Sequence, residues 1–449
     1  MDSKAMRLKV GFRQPRVKLD AAAQLTNCPR GCRLPGAREV ALTREIVTAT
    51  IPAVETSTEP TRDVRGATRR GIATVFLVAF LVRSAVIIFL PGLVPIMPDK
   101  TKRYDHIAMS LLRGDGFSRG GRPTAVSPPL YPLMLAGVYA LTGRSDQAAR
   151  LALALVDAGT CVLFFALASR LFSRRTALLT AACTVLSPFQ LYMVLVGASD
   201  ALFTFLVAVA LTALVAASKR PTPMRLLVAG GAISLATLCR AVTLLFPLAA
   251  VPTLWIALRA SVRAKLRSGL LLLAGATLVL TPWTVRNWHA FGRFVPVQTL
   301  GGYHLYLASL DWKDRADRKA IGQARPSDSE ADAELYRGAL TRITTDPLKY
   351  ARLSSRRLLS MWFGSASGAL SGVLFRINAM LLALAVVGVW MKRRQFRDLV
   401  PLYALVLYFV AVHLVIASIF RYMMPIVPIV TMMAMVPCAA ILERVGRRS

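Results

Sequence analysis

Three aspartates and three arginines stand where apolar runs of this chain meet short polar stretches, and their types suggest a shared chemistry. Asp99 and Asp105 lie in the polar stretch after the first apolar run. Asp200 closes Gly197-Ala-Ser-Asp200. Arg240 ends one run, Arg286 and Asn287 end another, and Arg421 and Tyr422 end a third. His304 closes Gly301-Gly-Tyr-His304 in a long polar segment. A carboxylate can take the proton of an attacking hydroxyl. A guanidinium can hold two phosphate oxygens at once. Together they suit chemistry on a phosphate-bearing, lipid-anchored substrate.

The elements that must position these residues are membrane helices. The chain has 449 residues, 55% of them hydrophobic. Stretches such as 71–94, 151–171, 177–196 and 201–217 approach the roughly 20 apolar residues that cross a bilayer core. They are continuous rather than alternating, so helices satisfy their backbone groups in lipid. The fold class expected is an all-α polytopic membrane protein with about 10 transmembrane helices. Spans are placed at 71–94, 148–170, 176–196, 201–217, 225–239, 242–258, 268–283, 371–390, 399–419 and 423–442. The apolar piece 129–141 is only about 13 residues long and reads as an interfacial or re-entrant helix. With that piece left uncrossed, every basic cluster between spans falls on one side, as the positive-inside rule requires.

The expected location is the cytoplasmic membrane, multi-pass, with both termini cytoplasmic and the candidate site facing outside. A first outer loop at 95–147 carries interfacial helices, and a second outer polar segment covers 285–368. Residues 1–68 are basic and lack a long apolar run; they read as a disordered cytoplasmic tail or an over-extended reading frame, and 443–449 as a cytoplasmic tail.

Net charge is +33. The charge sits in short loops without interleaved aromatics, which argues against nucleic acid as a partner and for membrane lipids or a phosphate-bearing substrate. Six cysteines are scattered, four of them in apolar runs, where they act as small hydrophobes. No paired metal-ligand spacing appears, so no cofactor is required; transient binding of a divalent cation by an acidic loop stays open.

A series of short strings carries a family resemblance. Tyr104-Asp-His-Ile-Ala108 runs into Leu111-Leu-Arg-Gly-Asp-Gly-Phe117-Ser118. Pro123-Thr and Ser127-Pro-Pro-Leu-Tyr-Pro-Leu133 follow. Then come Arg150-Leu151, Ser187-Pro188, Ser199-Asp200-Ala-Leu-Phe203, Ala236-Thr-Leu-Cys-Arg240, Thr281-Pro-Trp-Thr-Val-Arg-Asn287 and Arg421-Tyr-Met-Met-Pro425. In this order the strings resemble the GT-C glycosyltransferases related to protein O-mannosyltransferases, aminoarabinose transferases and rhizobial galacturonosyltransferases. The resemblance implies sugar transfer from a polyprenyl-phosphate donor to a lipid, glycan or protein acceptor at the outer face. It implies an acidic base in the first outer loop, either Asp99 or Asp105, with Asp99 preferred. Asp200 stands at the family's second outer acidic position, where Glu is common. Arg240, Arg286 and Arg421 are candidates for the departing phosphate, with Asn287, His304 and Tyr422 as further substrate contacts.

Other residues read as structural. Pro128 and Pro129 fix the entry to the interfacial helix, because proline suits a first helical turn. Gly301-Gly-Tyr-His304 reads as a tight turn. Arg83 and Asp157 lie inside spans at matching depth, and an unpaired intramembrane charge is costly, so an Arg83–Asp157 ion pair is expected. Two other readings compete: a transporter or flippase of a lipid-linked saccharide, and a polysaccharide polymerase or ligase. The absence of an internal repeat weighs against transport.

Overall fold

The computed structural model describes residues 62–90, 98–311, 329–363, 370–416 and 420–446, with the side chains at 62–68, 98–102, 329, 360, 370–374 and 420 outside that description. Most of the expected tail at 1–68 therefore lies outside the described residues.

The described residues are nearly all helical. α1 is Arg62–Phe89 and α2 is Pro98–Leu112. A two-stranded antiparallel hairpin, Ser118–Arg119 with Arg122–Pro123, separates α2 from α3, Leu130–Thr142. α4 is Asp146–Leu171, α5 Arg174–Val185, α6 Pro188–Val196, α7 Asp200–Lys219 and α8 Pro223–Cys239. α9 is Phe246–Ala257, α10 Val262–Phe291, α11 Gly301–Ser309, α12 Ser329–Thr345 and α13 Pro347–Phe363. α14 is Leu370–Met391, α15 Phe396–Val415 and α16 Val427–Val445.

A helix therefore stands at each of the ten segments placed as spans. By length and composition, six of them can cross a membrane, or seven if α5 and α6 form one span bent by 41°. The count of ten is thus not met by length alone. α8 and α9 have 17 and 12 residues, and at about 1.5 Å per residue they fall short of a ~30 Å core.

The break between α5 and α6 has a sequence cause. Pro188 has no N–H to donate to the carbonyl of Thr184 four residues earlier. Ser187 caps α6 through its hydroxyl, accepting from the Gln190 amide at 3.5 Å. The freed carbonyls find a cation. Arg83 of α1 donates to the Val185 carbonyl at 3.2 Å and the Thr184 carbonyl at 3.5 Å. Its Nε bonds Asp157 of α4, and both side chains are fully buried. The expected Arg83–Asp157 pair thus also stitches α1 to the bend.

Small residues set the closest helix crossings, as is common where no water drives association. A Cβ on Gly230 of α8 would stand 1.9 Å from the Leu272 carbonyl of α10, and one on Gly275 would stand 2.2 Å from the Leu227 carbonyl. The Ser234 hydroxyl adds a 2.7 Å bond to the Ala276 carbonyl. Gly388 plays the same part for α14, 2.0 Å from the Met433 carbonyl of α16.

The two ends of the bundle differ chemically. Lys392 lies over the Phe172 ring at 5.9 Å, and Arg175 approaches Gly446. Arg259, Lys265 and Arg397 share one cleft. These basic turns gather at the end opposite Asp200, Arg240 and Arg421. The apolar helix α3 stays at the latter end. Tyr131 at its start donates to the Gly197 carbonyl at 2.7 Å, and Arg150, near the start of α4, also packs by Gly197. A helix that crossed the bundle would have separated those two starts by its full span.

Candidate active site

The site is built on Asp200. Gly197 ends α6 in the left-handed conformation at φ 65°, which lets the chain turn sharply into α7. Asp200 follows in the first turn of α7, where a carboxylate is favoured by the helix dipole, with 1% of its surface exposed. Its Oδ1 accepts a hydrogen bond from Arg240, the residue that ends α8. Its Oδ2 lies 3.5 Å from Nη2 of Arg421, in the turn between α15 and α16. Arg240 also lies over the rings of Phe203 and Tyr422, at 5.7 and 5.1 Å. One buried carboxylate thus holds two guanidiniums from distant parts of the chain, leaving a local charge of about +1.

The two arginines line a cavity of about 300 Å³. Arg103, Tyr104, Pro128, His304, His413 and Tyr422 share its wall. α2 is docked there by aromatic contacts. Tyr104 meets the Tyr131 ring edge-on at 4.9 Å, and its hydroxyl is 3.4 Å from that of Ser199. Such a ring pair is worth about 1 kcal/mol beyond burial. Asp99 is one helical turn before Arg103; its side chain lies outside the described residues.

Asp105 faces elsewhere. It accepts from the Tyr139 hydroxyl at 2.7 Å and from Arg144 at 3.1 Å, tying α2 to α3 and to the start of α4. Burial, and then that bond to Asp105, push the Tyr139 phenol up. Arg286 and Asn287 also lie outside the cavity wall. Arg286 donates to the carbonyls of Thr124 at 2.9 Å and Phe117 at 2.7 Å and stacks at 4.9 Å on Trp283. Asn287 donates to the Val295 carbonyl at 2.9 Å. These two residues pin the loops on either side of α10's end.

The string Gly301-Gly-Tyr-His304 is the first turn of a helix, α11, rather than the tight turn expected. A Cβ on Gly302 would stand 1.9 Å from the Asp332 carbonyl of α12. The Tyr303 amide donates to the Asp332 carboxylate at 2.9 Å. The glycine therefore permits a close helix approach, which places His304 at the cavity. Pro129 stands immediately before α3, and Pro128 reaches the cavity wall.

His413 lines the cavity and, like Arg103, was not among the candidate residues of the sequence. It sits near the end of α15, 3% exposed, between the Phe409 and Tyr422 rings. Its Nδ1–H donates to the Phe409 carbonyl at 2.7 Å, because a carbonyl can only accept. That leaves Nε2 as the acceptor of a ring lining the cavity. A lone histidine inside an apolar span was the signal available.

Among the described residues, no group of three or more His, Cys, Asp or Glu side chains is placed to hold a metal ion.

Residues 126–288 match the family described as dolichyl-phosphate-mannose-protein mannosyltransferase. The structure matches the archaeal oligosaccharyltransferase AglB of Archaeoglobus fulgidus, in complex with an inhibitory peptide and a dolichol-phosphate. That match has TM-score 0.51 and 13% identity over 82% of this chain and 50% of that one. The chain shares the fold of that oligosaccharyltransferase, and among the described residues six or seven of its spans are long and apolar enough to cross a membrane. ArnT of Cupriavidus metallidurans, bound to undecaprenyl phosphate, matches at TM-score 0.40 and 15% identity, over 81% of this chain and 77% of that one. No curated protein matches in sequence. The chain spans about half the length of the oligosaccharyltransferase it matches. The family match begins at Val126, beside the loops held by Arg286, and ends just past Asn287. It therefore contains Asp200 and Arg240, while Arg421 and His413 lie beyond it.

Proposed function

We propose that this protein moves a sugar from a polyprenyl-phosphate donor to an acceptor hydroxyl, with the 300 Å³ cavity as the donor site. One observation carries the reading: Arg240 and Arg421, held together by Asp200, line a cavity at the end of the bundle opposite the basic turns. The positive-inside rule puts those basic turns in the cytoplasm and the cavity at the outer face. A dolichol-phosphate bound to the structurally similar oligosaccharyltransferase is of the same chemical class.

The transfer is a single displacement. The acceptor oxygen attacks the anomeric carbon as its proton passes to a carboxylate, and the bond from that carbon to the phosphate oxygen breaks. Polyprenyl phosphate leaves with the bonding electrons, so the configuration inverts. Charge grows on the phosphate, where the two guanidiniums stand ready to hold it. Asp99 is the base we assign, because Asp105 is occupied by Tyr139 and Arg144 and Asp200 by two arginines. His413 Nε2, His304 and Tyr422 accept from or stack on the sugar.

The test is transfer of radiolabelled sugar from polyprenyl-phosphate donors in membranes holding the wild type or Asp99→Asn. Transfer by the wild type, lost in the variant at equal protein level, supports the reading. Saccharide that crosses the membrane unchanged, with no transfer from any donor, replaces it with the flippase.

A further inference from the structure

A second cationic site lies at the other end of the bundle. A cleft of about 630 Å³ opens between the end of α9, the start of α10 and the start of α15. Arg259, Lys265 and Arg397 line it, with Trp255, Ile256 and Ser261. Arg259 and Lys265 come from the α9–α10 connection, and Arg397 from a helix more than a hundred residues later. None of the three forms a salt bridge among the described residues, and no carboxylate lines the cleft. Asp398, the nearest acidic residue in sequence to Arg397, is exposed and outside it. Arg263 and Arg267 on α10 add further positive charge nearby.

Three like charges brought to one cleft repel one another unless an anion sits between them. The first amides of α10 add to that attraction at its N-terminus. The cleft is also amphipathic. Trp255 lies under Lys265 at 5.7 Å, and indoles are favoured at membrane interfaces. Ile256 of the cleft and Leu266 and Leu270, one turn apart on α10, are exposed apolar residues.

We propose that this cleft binds the phosphate of an anionic phospholipid, with the acyl chains along the exposed apolar faces of α9 and α10. Basic pockets between transmembrane helices recognise anionic headgroups in this way. The site is separate from the candidate active site, and nothing in its logic requires the transferase reading.

The experiment uses the full chain, purified in detergent and titrated with dioleoyl phosphatidylglycerol, with dioleoyl phosphatidylcholine, or with inorganic phosphate. Bound lipid is counted by native mass spectrometry. Each cation near an anionic headgroup is worth roughly a fivefold change in binding, so Arg259→Gln, Lys265→Gln and Arg397→Gln combined lower phosphatidylglycerol affinity by about two orders of magnitude. Arg393→Gln with Arg394→Gln, on the exposed surface outside the cleft, leaves it unchanged and separates a built site from general basic charge. Arg397→Lys keeps the charge and retains most of the binding, which guards against a folding defect in the triple variant. Equal affinity for phosphatidylcholine, unchanged affinity in the triple variant, or displacement of the lipid by equimolar inorganic phosphate each overturns the proposal.

Discussion

Asp200 and Arg240 stand at opposite termini of two antiparallel helices, and their side chains form a nearly buried salt bridge at the cavity wall. Arg421 adds a second cation to the same carboxylate at 3.5 Å. In Asp200→Asn the two guanidiniums lose the charge that holds them in place. A charge-assisted bond of this kind is worth about 1.5–3 kcal/mol. Sugar-transfer assays should show kcat/KM lower by roughly 10–100-fold, with the donor KM raised more than the acceptor KM.

If Arg240 holds the donor phosphate, arginine and lysine should not be interchangeable there. Lysine is a point charge and cannot make the paired contacts of a guanidinium. Arg240→Lys should keep the protein folded and raise donor KM by roughly tenfold, and Arg286→Lys should leave donor KM unchanged, since Arg286 holds loop carbonyls instead. Steady-state kinetics with varied donor checks both.

The first-loop aspartates should separate cleanly. Asp99→Asn should lower kcat by about 10²–10⁴-fold, the usual contribution of a general base, with thermal stability intact. Asp105→Asn should retain most of kcat but melt earlier, because Tyr139 and Arg144 lose their charged partner. Measuring turnover and melting temperature on the same preparations distinguishes the two.

The Arg83–Asp157 pair offers a stability test away from the cavity. Breaking a fully buried pair from one side costs about 3–5 kcal/mol, while replacing both members with apolar residues of similar volume is often close to neutral. Arg83→Met alone also removes the Arg83 bonds to the Val185 and Thr184 carbonyls. Either single variant should therefore melt well below wild type, and Arg83→Met with Asp157→Leu should recover part of the loss.

Gly230 and Gly275 should tolerate no larger residue. Their added Cβ atoms would meet backbone at 1.9 and 2.2 Å, and backbone cannot rotate away. Gly230→Val and Gly275→Val should abolish folded yield. Gly231→Ala should be mild, because its new atom meets a Val279 methyl at 3.2 Å. Size-exclusion profiles in detergent report the difference.

The apolar spans, the short apolar helix at Leu130–Thr142 and the segregation of basic turns were legible in the sequence, because bilayer thickness and charge asymmetry act on contiguous residues. In the structure Ser145, Ser173 and Ser187 cap helices, each accepting a bond from an amide three residues on. Gly301-Gly-Tyr-His304 was misread as a turn for the opposite reason. Gly302 answers to Asp332 on another helix, and no nearby residue announces that.

Among the polar residues, sequence alone singled out Asp200, Arg240 and Arg421 because charges at span ends are costly to place, and the structure brings these three together. The tertiary structure decided their division of labour. Asp105, Arg286 and Asn287 bond to loops and neighbouring helices, whereas Asp200, Arg240 and Arg421 meet across more than two hundred residues of chain, with His413 beside them. Side-chain partnerships depend on which helix faces pack together, and that is settled by close small-residue crossings such as Gly230 of α8 against α10, not by any pattern along a single helix.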